Sequence, residues 1–235
     1  MGLDHSPAIV TDGLVFYHDA ANRRSYSGSG TSVFNITGSK TGILTNGVGY
    51  TTANQGYFSF DGTNDFIDLT TNLNVGSNFS VFAWVYPGNI NIRNTVVGNS
   101  FPYSGTDGWE MATATNYLGN TNTFFIAIGA DSSYRTAING TIVTNSWNYM
   151  GGTVTNGGGN ITLYISGIAV TSYQGGSMNS NTITYNTQDM AIGRRVSTNT
   201  EYFIGNIALV KIYNRILTAQ EVLQNYNATK GRYGL

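Results

Sequence analysis

The chain has 235 residues, a net charge of −1 and only 10% charged residues. Its basic residues are adjacent only at Arg23-Arg24 and Arg194-Arg195, which excludes the concentrated Lys/Arg face that nucleic-acid binding needs. No cysteine is present to staple the fold, and no apolar run approaches the roughly 20 residues of a membrane-spanning helix.

Solubility must rest on neutral polar groups, and Asn, Thr, Ser and Gly fill the gaps between short apolar runs with no linker-like break. One domain over 13–235 is expected, preceded by an N-terminal extension, residues 1–12, able to reach neighbouring subunits. The start, MGLDHSPAIVTDG, lacks the basic and apolar regions of a signal peptide, so none is predicted.

Strand signals dominate from there on. The first strand is expected at Leu14–His18. Next comes FDGTND (60–65) with Phe66-Ile67-Asp68-Leu69, a strand that enters a tight acidic turn and leaves as a strand. Residues 79–86 place Phe79, Val81, Ala83 and Val85 on one face and Ser80, Phe82, Trp84 and Tyr86 on the other. Apolar bulk on both faces predicts a central strand covered on both sides. Further strands are predicted at Thr95–Gly98, Phe124–Ile128, Tyr149–Thr155, Thr162–Ser166, Ile168–Ser172, Met190–Gly193 and Phe203–Tyr213, the 162–172 pair forming a hairpin with a two-residue turn. One helix is predicted near 219–226: Thr218 and Glu221 form a capping box, with Leu217 and Val222 at the staple positions and Leu223 and Tyr226 extending the apolar stripe.

Four segments carry a resemblance: GLVFYHDAAN (13–22), the FDGTND unit, FSVFAWVYP (79–87) and GNIALVKIYNRILTAQEV (205–222). Together they resemble the laminin-G-like, concanavalin-A-like jelly-roll domains, in the versions found in bacteriophage structural proteins, over roughly residues 10 to 232. The resemblance implies an all-β, two-sheet antiparallel jelly-roll sandwich with one short C-terminal helix. It also places Trp84 and Trp147 in the core.

Chemistry is sparse. Glycosidases of this fold carry carboxylates on alternate positions of one strand, and glycoside hydrolysis needs two such groups facing each other. Here the three glutamates are Glu110, flanked by Ala112 and Ala114 where partners would stand, Glu201 with no acid nearby in sequence, and the capping Glu221. No catalytic residue is therefore expected, and the chain reads as a non-enzyme. His5 and His18 lack triad partners, and His18 and Asp19 point to opposite faces of a strand.

Asp61 and Asp65 are metal candidates through their spacing, although the same spacing serves a turn. Domains of the resembled family often hold a structural calcium near the start of the last strand, in a G-x-I-D-E-V-R-I-Y context. This chain has Ala208 where the aspartate would stand and keeps Asp19 as a further candidate ligand. No cofactor is expected, and structural calcium is in doubt.

For a glycan site, Trp109 stands out in the loop-like stretch SFPYSGTDGWEM, so Tyr103, Asp107 and Trp109 are proposed, joined by Tyr134, Arg194 and Arg195. The expected function is a virion surface protein, a capsid decoration or fibre component, that attaches to host or environmental carbohydrate. Its partners would be other virion subunits, as a homo-oligomer, with no nucleic acid and no membrane insertion. The alternative is a stand-alone bacterial lectin-like module, and the third is a glycoside hydrolase of the same fold.

Overall fold

The computed structural model describes residues 7–38, 41–88, 93–99, 107–114, 122–130, 133–139, 142–155, 157, 159–177, 183, 185 and 188–235. In chain order its strands begin with β1 (Leu14–Asp19), β2 (Ser32–Phe34), β3 (Thr41–Thr45), β4 (Gly49–Thr51), β5 (Tyr57–Asp61) and β6 (Phe66–Asp68). The middle of the chain forms β7 (Phe79–Pro87), β8 (Asn94–Gly98), β9 (Gly108–Ala114), β10 (Thr123–Ala130), β11 (Ser133–Asn139) and β12 (Asn148–Thr155). The last strands are β13 (Asn160–Ile165), β14 (Ile168–Val170), β15 (Tyr173–Ser177), β16 (Ala191–Ile192) and β17 (Ile204–Tyr213), followed by α1 (Ala219–Asn227).

Two antiparallel sheets stack. One runs β14-β13-β12-β7-β17-β5-β4, with β1 also paired to β17; the other runs β15-β11-β10-β9-β8-β16-β6-β3-β2. Between them lies the main core, which includes Phe79, Val81, Val85, Phe124, Ile126, Met150 and Ile212. These are the inward members of alternating strand patterns, each worth about 1.5–3 kcal/mol when taken out of water.

The expectation of a strand covered on both faces holds for β7. Phe79, Val81, Ala83 and Val85 enter the main core, whereas Phe82 and Trp84 enter a second cluster on the outer face of the same sheet. That outer cluster is closed by α1 and by the short turn at Lys230–Tyr233. Tyr226 and Tyr233 lie 5.8 and 4.2 Å from the Trp84 ring, and the Trp84 indole N–H donates to the Thr229 hydroxyl at 2.8 Å.

The segment before β1 is part of this layer. Val10 is buried, its N–H donates to the Asn225 side chain at 2.9 Å, and its carbonyl accepts from the Tyr213 hydroxyl at 3.0 Å. Residues around Val10 therefore pack on the domain itself, while residues 1–6 lie outside the described set.

Local signals explain several elements. The β13–β14 hairpin turns at Ser166 (φ 51°) and Gly167 (φ 80°), the double positive φ of a type I′ turn. A side chain at Gly167 would also meet Leu223 and Tyr226 of α1. The helix starts as predicted: the Thr218 hydroxyl accepts from Glu221 N–H at 3.2 Å, and Glu221 returns the bond to Thr218 N–H at 2.8 Å. Of its apolar positions, Val222 is buried and Leu223 is exposed, so the stripe is narrower than the sequence suggests.

The FDGTND unit differs from a hairpin. β5 belongs to one sheet and β6 to the other, so the acidic turn is a crossover between layers.

The largest departure concerns Trp109. It lies in β9 and is fully buried, its ring 5.2 Å from Phe79 in the main core. Alternation explains this: Trp109 and Met111 face inward, while Ala112 and Ala114 join a separate outer cluster with Phe125, Ala127 and Ile138. Trp147, expected in the core, is only partly buried and packs against the outer cluster.

Three outcomes test this architecture. Thr218→Ala should cost about 1 kcal/mol in urea unfolding through loss of the cap. Trp109→Ala should cost about 3–5 kcal/mol as a core cavity, far more than loss of a loop aromatic. His18 is buried beside Phe58 at 5.4 Å, and burial pulls its imidazole from 6.5 down to about 4 against the opposing pull of Asp19. The unfolded chain therefore binds a proton near pH 6.5 that the folded chain refuses until about pH 4. Stability from this group is full above 6.5 and declines as pH falls to 4. Urea midpoints should drop across that window, and His18→Leu should flatten the decline.

Candidate functional site

The structure turns Trp109 away from the other residues proposed for a glycan site. Tyr103 lies outside the described residues, and Trp109 faces the core. Asp107 is half-buried at the entry to β9, and Tyr134 is half-buried in β11, its ring lying across the Gly176 backbone. Arg194 stacks its guanidinium 3.7 Å above the Phe66 ring. Arg195 does reach β9, but through charge rather than stacking.

That connection is an ion network on the outer face of the second sheet. Arg195 binds Glu201 at 2.8 Å, Glu201 binds Arg93 through its other oxygen at 2.8 Å, and Arg93 contacts Glu110. The Arg93 guanidinium also sits 4.6 Å over the Phe125 ring. Glu110 is fully buried, next to Trp109 in sequence but on the opposite face of β9. Two acids far apart in sequence thus meet across one arginine, and both oxygens of Glu201 hold a guanidinium. Burial pushes the Glu201 carboxyl up, and Arg93 and Arg195 pull it down. The sequence signal was available: a lone carboxylate inside GWEMATA must find a partner if the strand is buried.

The other polar constellation lies on the opposite side of the molecule, where β1 ends beneath the C-terminal turn. A cleft of about 400 Å³ is lined there by Tyr17, Asp19, Asn22, Arg23, Gln55 and Arg232, among others. Asp19 is fixed on all sides. Its carboxylate accepts from the Tyr17 hydroxyl at 2.8 Å and from Ala21 N–H at 3.0 Å, and it pairs with Arg232 at 3.0 Å. Beneath it Lys211 is fully buried, its ammonium 5.2 Å from the Tyr17 ring centre and without a hydrogen bond. Burial lowers that lysine to about 7, with Asp19 raising it and Arg232 lowering it further.

These residues do not suit calcium. Asp61 is a turn former, accepting from Thr63 N–H at 2.7 Å and Asn64 N–H at 3.3 Å, and Asp65 accepts from Asp61 N–H at 3.1 Å. Asp19 is engaged by a guanidinium, and at the neighbouring position Ala208 offers only its backbone carbonyl, which accepts from Ala20 N–H at 2.9 Å. Among the described residues no three His, Cys, Asp or Glu side chains gather where they could hold a metal ion.

Comparison with known proteins fits this architecture. Residues 61–223 match the family model Laminin_G_3, the concanavalin A-like lectin/glucanases superfamily. Among solved structures, the chain is similar to domain 4 of AbnA, an extracellular GH43 arabinanase of Geobacillus stearothermophilus solved with arabinotriose. Identity there is 18% and the TM-score 0.65, with 91% of this chain and 98% of that one covered. It is also similar to the receptor-binding domain of botulinum neurotoxin type G, at 16% identity and TM-score 0.64 over 92% of this chain and 51% of that one. A third relative is the binding domain of Paraclostridial Mosquitocidal Protein 1, at 18% identity and TM-score 0.68 over 92% and 52% of the two chains. The chain thus spans about half the length of these toxin binding domains, and at such identities the likeness is one of fold. No curated protein matches the chain in sequence. With more than half of its length matched to the family model, this chain belongs to the concanavalin A-like lectin/glucanases superfamily.

Proposed function

We propose that the domain is a non-catalytic glycan-binding module and that it serves on a virion surface, as a capsid decoration or fibre component that attaches to carbohydrate. The observation carrying the binding half is the cleft at the end of β1. It combines a half-buried aromatic ring, Tyr17, with amide and guanidinium groups from Asn22, Gln55 and Arg23 around a fixed acid–base pair. Sugars present C–H faces and many hydroxyls, and a recess with an apolar wall and a few placed polar groups suits both. The non-enzymatic half is supported by the arrangement of acids. Glu110 and Glu201 are joined through Arg93 rather than facing an open gap, whereas hydrolysis needs a proton-donating acid and a free carboxylate some 5–9 Å apart, roughly.

The virion assignment is supported by the resemblance of GLVFYHDAAN and the strand–helix unit at 205–222 to phage structural proteins. The specific support for the alternative, a bacterial carbohydrate-binding module, is the arabinanase domain, 98% of which this chain covers.

A glycan array probed with the purified protein should give a set of related hits. Arg23→Ala or Gln55→Gly, the latter chosen because Gln55 has φ 68°, should weaken them about tenfold, a loss of about 1.4 kcal/mol. Undiminished binding in both variants would discard the cleft, and an empty array with wild type would sink the glycan reading. Co-sedimentation with purified particles tests the virion role, since a free module stays in the supernatant.

A further inference from the structure

We infer that the Arg232 guanidinium is a built-in cation: it occupies the corner at the end of β1 where a divalent ion would otherwise bind, and it makes the fold independent of calcium. This goes beyond the glycan reading and does not rest on it.

Three chain regions meet at this corner. Asp19 ends β1 opposite Leu209 of β17, and Ala20 N–H donates to the Ala208 carbonyl at 2.9 Å. The pairing of β17 with β7 shifts register between Ile207 and Leu209, so Ala208 sits at a bulge and its side chain joins the outer cluster. Asp19 shares that face, because Tyr17, two residues earlier, hydrogen-bonds to it while Phe16 enters the main core. Positions 19 and 208 therefore lie on neighbouring strands and the same surface of the sheet.

Into this corner comes the C-terminal turn. The terminal nitrogen Nη1 of Arg232 lies 3.0 and 3.1 Å from the two oxygens of Asp19, and Nη2 lies 3.5 Å from the Gly56 carbonyl ahead of β5. A carboxylate on one element and a backbone carbonyl on another, held by one positive centre, is the cross-link that a bound metal would provide. The pair is largely out of solvent, with side-chain exposures of 10% for Arg232 and 8% for Asp19.

Charge counting favours the arginine. One carboxylate neutralises one guanidinium, whereas a divalent ion on Asp19 alone would leave an excess positive charge beside the buried Lys211 and the exposed Arg23. Position 208 is the place from which a second carboxylate could come, and alanine supplies none. The arginine also brings the next residue into place: Tyr233 packs 4.2 Å from Trp84 and 4.6 Å from Trp147, so the guanidinium seats the lid over the outer aromatic cluster.

Thermal unfolding of the full chain tests this. Wild type should melt identically in EDTA and in calcium chloride, and a melting temperature raised by calcium would overturn the inference. Arg232→Met, which keeps the side-chain length without the charge, should melt at least about 5 °C lower, with no rescue by calcium, while Arg232→Lys should recover part of the loss. An Arg232→Met variant as stable as wild type would also overturn it. The double variant Ala208→Asp/Arg232→Met should gain calcium-dependent melting and one calcium site by calorimetry. A folded double variant indifferent to calcium would show that the corner is no cation site; should it fail to fold, the wild-type and Arg232→Lys melts decide the matter.

Discussion

Aromatic surface on the wrong side of a sheet is the constraint from which much of this structure follows. Phe82, Trp84 and Tyr149 point away from the main core, the Tyr149 ring stacked 5.6 Å from Phe82 and tilted 5.3 Å from Trp84. Rings of this size bury about 150–250 Å² each when covered, far too much apolar area to leave in water. The lid that covers them comes from both chain ends: the Val10 segment, α1 and the turn at Lys230–Tyr233. The capping box of α1, the Trp84–Thr229 bond and the ion pair of Arg232 all serve to keep that lid in one position.

Charge is scarce in this chain, and where it is buried it is bound up in networks. Arg93 joins Glu110 to Glu201, Arg195 completes that chain of contacts, and Arg232 answers Asp19. A buried carboxylate without a counter-charge would cost several kcal/mol, roughly, so each pair is a condition of burial more than a gain in stability. Lys211 is the exception. Its ammonium is buried 5.2 Å from the Tyr17 ring, and its proton is held loosely because burial disfavours the charge and Arg232 adds to that, with Asp19 opposing.

The sandwich is shared with an arabinanase domain and with toxin binding domains, so architecture by itself does not choose a function. The local chemistry rests on particular residues. An alanine stands at 208, an arginine fills the neighbouring corner, and the acids of the second sheet are bridged by Arg93.

The sequence alone determined the fold class, most strand positions and the helix with its cap, because those depend on alternation, turn chemistry and spacing within a few residues. It also carried the two-faced burial of β7, since both faces of 79–86 are apolar. Short strands such as β2, β3 and β15 were not legible, since isolated runs of three to five polar-rich residues become strands only by pairing with neighbours. Trp109 reads as a loop aromatic until the pairing of β9 with β10 sets which face it occupies. The meeting of Glu110 with Glu201, 91 residues apart, and of Asp19 with Arg232, 213 residues apart, was decided only by the tertiary structure. Long-range ion pairs leave no periodic trace in a chain, for they depend on which distant strands become neighbours when the two sheets close.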